Sequence, residues 1–361
     1  MNQRISEWIR RHPIEAFFLL GIAICYVTLF PAILIIPQEP TLGQIIVLFL
    51  GRIGVYSPVL AGMFVSRIIR PARRRVALSR RLLVFLPVWF IAAIIHTLSL
   101  NLEAEPGTPL IALIVVSLPV ALLPAFVLTS ALSGTEGVKQ MLSTLVKPKG
   151  SIAYYMIALL AFPATHIIGT GITNLLNGDR WFPQVFQGSE LALTVLITFF
   201  SVLFFSGGIN EESGWRGFAQ SRLQKEHSPL VANLVLWFLI VIWHIPNDML
   251  QYQHGGYLLV RIGLYPFITI LFGWTYNRTK GSILAPAIFH ASMNSMNPLF
   301  AALPITTAGS ILLVGLAVVV VIGDRMWRRL PEDHPAVFPG AVTAAAVVSS
   351  DQSLATADSE G

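Results

Sequence analysis

Ten apolar runs, at residues 14–36, 44–68, 82–100, 109–132, 151–174, 191–209, 229–247, 257–277, 282–302 and 305–323, constrain this chain more than any other feature. About 20 apolar residues wound as a helix cross the hydrocarbon of a bilayer. Lipid offers no hydrogen bonds, so a spanning segment must satisfy its own backbone, as a helix does. The expected fold is therefore all-α: a polytopic transmembrane bundle of about ten spans. Composition agrees, since the 361 residues are 55% hydrophobic and only 12% charged, whereas soluble domains are about a quarter charged. No soluble domain stands out, nor any repeat that would divide the chain into two transporter-like halves. The first run follows Arg4, Arg10 and Arg11. It is too long for a signal-peptide h-region, lacks a small-x-small cleavage pattern after it, and reads as a retained span.

A formal net charge of +6 raises nucleic acid as a partner, but the charges are placed otherwise. They cluster between apolar runs without interleaved aromatics, so no nucleic acid is expected. One set of alternate loops holds 21 of the 24 Lys and Arg residues, all but Arg52, Arg180 and Arg261. The opposite loops, including 37–43 and 101–108, carry Glu39, Glu103, Glu105, Asp179 and Asp248. The positive-inside rule then puts both termini in the cytoplasm and favours an even number of spans. The expected location is the cytoplasmic membrane of a bacterium, with lipid as a constant partner. The loop with Arg67, Arg70, Arg73, Arg74, Arg75, Arg80 and Arg81 can anchor topology or rest on anionic headgroups. Cys25 is the only cysteine, which excludes an intrachain disulfide and a cysteine zinc site. Residues 331–361 turn to Pro, Ala, Ser and Asp and read as a disordered cytoplasmic tail.

Against this apolar background three polar stretches stand out. The first is Glu211-Glu212-Ser213-Gly214-Trp215-Arg216, directly after the run 191–205. Charge at membrane depth is costly and marks function by default. On a helix Glu212 and Arg216 share a face and can pair, leaving Glu211 to face a cavity. The second stretch is Trp243-His244-Ile245-Pro246, and the third is His290-Ala291-Ser292-Met293-Asn294, with His290 and Asn294 on one face. Together they hold the parts for amide hydrolysis. A carboxylate takes a proton from water and a histidine holds that water. A second histidine and an amide N–H stabilise the oxyanion. Gly214 and Gly217 would admit a closely packed neighbour, and Pro286 would kink the helix before His290. His96 and His166 read as buried hydrogen-bonding residues. Arg52 and Arg261, inside apolar runs, either pair or snorkel, or else line a wet cavity and meet a substrate carboxylate. The same polar residues also suit a transporter or channel binding an ion or proton, or an idle scaffold.

The pattern Glu-Glu-x-x-x-Arg, then a histidine late in an apolar helix, then His-x-x-x-Asn resembles that of the CPBP intramembrane proteases. That family includes the type II CAAX prenyl endopeptidases and bacterial proteins implicated in bacteriocin processing or self-immunity. The resemblance covers about 190–302. It leaves 1–189 as a set of about five N-terminal spans, 303–330 as a last span and 331–361 as the tail. It implies Glu211 as general base, His244 positioning the water, His290 and Asn294 at the oxyanion, and Glu212 with Arg216 as a supporting pair. The implied substrates are membrane-associated proteins or peptides, including prenylated or otherwise lipid-anchored ones. One departure is Ile240, where the family usually has phenylalanine four residues before the histidine. Glu211, His244 and His290 are also of the types that ligate zinc. The chain nonetheless lacks a His-Glu-x-x-His motif, and a metal-free or a metal-assisted water fits the residues equally.

Overall fold

The computed structural model describes residues 2–34, 42–71, 76–132, 135–179, 181, 189–251, 256–296 and 306–337. Part of the loop 37–43, the arginines Arg73, Arg74 and Arg75, Arg180 and the tail from residue 338 lie outside these. Among the described residues there is helix and no β-strand, as expected. In chain order the helices are α1 (Gln3–Arg11), α2 (Pro13–Leu34), α3 (Leu42–Val55), α4 (Ser57–Ile69), α5 (Leu78–Glu103) and α6 (Leu110–Val120). They continue with α7 (Leu122–Ser130), α8 (Glu136–Val146), α9 (Ile152–Leu176), α10 (Ser189–Phe205) and α11 (Ile209–Gly214). A π-helical turn, Trp215–Gln220, leads into α12 (Ser221–Glu226), then α13 (Pro229–Gln251), α14 (Gly256–Gly263), α15 (Tyr265–Arg278), α16 (Leu284–Ser295) and α17 (Thr307–Gly323).

Among the described residues six segments are long and apolar enough to cross a membrane: 13–31, 78–103, 110–130, 152–176, 191–226 and 229–249. A seventh is made if Phe49–Val55 and Ser57–Ile69, bent by 63°, form one broken span. The expected spans at 257–277, 282–302 and 305–323 are built instead on shorter helices, α14 with α15, α16 and α17. Proline explains two of the breaks. Pro58 and Pro266 each lie in the first turn of the helix after a break, where a missing N–H costs nothing and the preceding turn cannot continue. Pro286 is likewise in the first turn of α16, so the kink expected before His290 is absent.

The two largest apolar cores among the described residues hold much of the bundle. One joins α2, α4, α8, the π-turn and α13 through Phe17, Tyr56, Leu142, Trp215, Phe218 and Leu236, all buried. The other joins α9, α15, α16 and α17 through Phe162, Leu271, Phe289 and Leu313. The glycines work as expected: a Cβ on Gly214 would lie 2.5 Å from the Pro58 carbonyl carbon, and one on Gly217 2.6 Å from Ile283. Residues 331–337, read from sequence as part of the tail, make contacts with the bundle. Ala336 is fully buried beside Ile209, Tyr276 and Ile283, and its carbonyl accepts from Gln224 Nε2 at 3.2 Å. These apolar neighbours outweigh the polar composition of that short stretch.

Candidate active site

α10 ends at Phe205, and the chain turns through Ser206, Gly207 and Gly208 before α11. Gly207 has φ +128°, open to glycine but strained for other residues. A Cβ there would fall on the imidazole of His290. The turn is pinned by Asn210, whose Oδ1 accepts from Gly207 N–H at 2.9 Å and whose Nδ2 donates to the Val55 carbonyl at 3.0 Å. That carbonyl is available because α3 stops there. The break thus seats His290 beside the first turn of α11, which carries Glu211 and Glu212.

Glu212 is completely buried and holds two partners. Its Oε2 lies 2.8 Å from Arg216 Nη1, and its Oε1 lies 2.8 Å from His290 Nδ1. Arg216, 1% exposed, also reaches the Thr269 carbonyl at 3.4 Å and lies 5.1 Å from the Phe272 ring. A carboxylate paired with a guanidinium offers only acceptors, so the hydrogen bond assigns the ring proton to Nδ1 of His290. The expected Glu212–Arg216 pair is present, and it reaches a third member that sequence spacing does not show. Glu211, one residue earlier, points elsewhere and lines a cavity.

α13 delivers His244. Pro246 has no N–H for the Ile242 carbonyl four residues back. Tyr26 of α2 fills that gap, its hydroxyl donating to Ile242 O at 2.8 Å, and the Cys25 thiol lies 3.4 Å from Trp243 O. His244 Nδ1 is 2.8 Å from the Ile240 carbonyl, so it donates there and leaves Nε2 as the available ring nitrogen. Ile240, the departure from the family pattern, is buried and holds this histidine by its backbone, which any side chain would permit. Trp243 Nε1 donates to Ser57 Oγ at 2.7 Å, fastening α13 to the broken α3–α4 corner.

Glu211, Glu212, Arg216, His244, His290 and Asn294 all line one cavity of about 220 Å³, many times what a single water needs. The six are brought together from α11, the π-turn, α13 and α16. Arg52 of α3 and Arg261 of α14 line it too, one of the roles that sequence reasoning left open for both beside pairing and snorkelling. Arg261 makes a bidentate pair with Asp248, so Asp248 belongs to a helix-to-helix pair rather than to an external loop. His96, by contrast, is not among the residues lining this cavity and hydrogen-bonds Ser117 at 2.9 Å. Among the described residues no three His, Cys, Asp or Glu side chains are grouped to hold a metal ion.

The fold and the cavity define a class: an integral membrane helical protein whose buried carboxylates and histidines meet in one chamber of about 220 Å³. Residues 192–296, which include all six of those side chains, match the family described as Type II CAAX prenyl endopeptidase Rce1-like. CAAX prenyl protease 2 of Methanococcus maripaludis is 30% identical over 132 residues, 33% of this chain and 48% of that protein. The chain thus spans about half the length of this curated relative. Over this core, and not over the whole chain, the sequence is thus similar to the CAAX-type proteases.

Proposed function

We propose that this protein is an intramembrane endopeptidase that hydrolyses a peptide bond in a membrane-associated, lipid-anchored protein or peptide. The observation that carries the reading is the convergence of Glu211, His244, His290 and Asn294 on one cavity, with His290 held by a buried carboxylate. Glu211 takes a proton from a water that His244 Nε2 helps to hold, and the water oxygen bonds to the scissile carbonyl carbon. His290 and Asn294 face the oxygen that becomes negative. When the His290 ring carries a second proton, taken from solvent and balanced by Glu212, its Nε2 donates to that oxygen, and the Asn294 amide donates beside it. Collapse of the tetrahedral species breaks the C–N bond, and the proton held by Glu211 passes to the leaving amine. No step is routed through a metal.

The test is purified protein in lipid nanodiscs with lipid-anchored peptides, read by mass spectrometry. Glu211→Gln should lower turnover roughly 10²- to 10⁴-fold, and Asn294→Ala roughly 10²- to 10³-fold. Both variants should keep the wild-type melting profile. Equal turnover by Glu211→Gln removes the assigned base.

A further inference from the structure

Arg52 lies in α3, outside the 192–296 core, and lines the same cavity as Glu211. The cavity's other guanidinium groups have carboxylate partners: Arg216 has Glu212, and Arg261 has Asp248. Arg52 enters no ion pair among the described residues. A guanidinium cannot shed its proton to escape that situation. Held at bilayer depth, it calls for a counter-charge or for a function that needs one.

Its position is fixed. Tyr56, at the corner of the bent α3–α4 pair, bonds through its N–H to the Arg52 carbonyl at 3.1 Å. The Tyr56 hydroxyl donates to the Phe204 carbonyl in the last turn of α10, just before the glycine turn that leads to Glu211. The turn bearing Arg52 is thus fastened to the segment bearing the general base. We propose that Arg52 receives a carboxylate of the substrate, within a few residues of the scissile bond. This rests on the peptidase reading above. The cavity volume of about 220 Å³ sets that short reach. A carboxylate is favoured over a phosphate because Glu211 and Glu212 line the same space and repel a doubly charged group more strongly. The planar fork of a guanidinium also matches a carboxylate in two parallel hydrogen bonds. Either the chain's free C-terminus or an acidic side chain can supply the group.

The experiment measures binding and cleavage separately. Full-length Glu211→Gln protein in nanodiscs is titrated with three versions of one lipid-anchored peptide. These have a free terminal acid, a terminal amide, and a free terminal acid with the internal Asp and Glu residues neutralised. Losing the recognised carboxylate should weaken binding roughly 10- to 100-fold, and the version that shows the loss identifies its source. Adding Arg52→Gln should erase that difference, while Arg52→Lys should keep part of it. A circular-dichroism melt confirms that each variant is folded. The assignment is overturned if the Arg52→Gln protein discriminates as before, or if the parent never discriminates. It is equally overturned if the effect of Arg52→Gln follows the anionic lipid content of the disc instead of the peptide. If binding discriminates through Arg52 and the wild type cleaves none of the peptides, the peptidase reading fails and the carboxylate site stands.

Discussion

At the scale of single residues, Glu212 has two jobs that substitution can separate. It balances Arg216, and it fixes which nitrogen of His290 bears the proton. Glu212→Ala leaves a guanidinium at 1% exposure without its counter-ion, which should cost about 3–5 kcal/mol and show as a large drop in melting temperature. Glu212→Gln keeps an acceptor for His290 Nδ1 but removes the negative charge that supports an imidazolium. Its expected signature is a kcat lowered at least about tenfold with KM nearly unchanged, as for an interaction made mainly in the transition state. Equal losses in kcat and stability for both variants would leave Glu212 a purely structural ion-pair partner. Glu212 with Arg216 was legible as an i,i+4 pair. The link to His290 was not, because it joins side chains 78 positions apart and depends on a bend that no spacing rule encodes.

At the scale of elements, hydropathy disclosed most helices because lipid leaves the backbone no other way to be satisfied. The interruptions carry the site and were harder to read. The corner at Tyr56, the turn at Gly207 and the π-turn at Trp215–Gln220 all fall inside or at the edge of apolar runs, where composition changes little. A π-turn inside a helix is common at functional sites, yet nothing in Trp215-Arg216-Gly217-Phe218 announces it. The Pro246 gap gives a measurable case. Tyr26→Phe removes the hydroxyl that donates to Ile242 O, leaving a half-buried carbonyl short of a donor at a cost of about 1 kcal/mol. Pro246→Ala restores the helical N–H to the same carbonyl. In a double-mutant cycle the penalty of Tyr26→Phe should therefore shrink by roughly 0.5–1 kcal/mol when residue 246 is alanine. Additive effects would mean that Tyr26 holds α2 to α13 by packing alone.

At the scale of the whole molecule, the 192–296 core does not wall its own cavity. Arg52 and Val55 close one side, Phe17 stacks on Phe218 at 4.9 Å, and Ser57 and Pro58 meet Trp243 and Gly214. Charge asymmetry then argues for the side to which the molecule faces. Arg4, Arg10 and Arg11 precede α2, while Glu103 ends α5 and Glu105 follows it, so the rule that basic loops stay inside predicts the first set in the cytoplasm and the second outside. Cysteine labelling tests this cleanly because the native thiol, Cys25, is fully buried. Gln3 and Glu105 are exposed, and each can carry a single added cysteine. Glu105→Cys should react with a membrane-impermeant maleimide in intact cells, and Gln3→Cys only after permeabilisation. The reverse pattern would turn the molecule over.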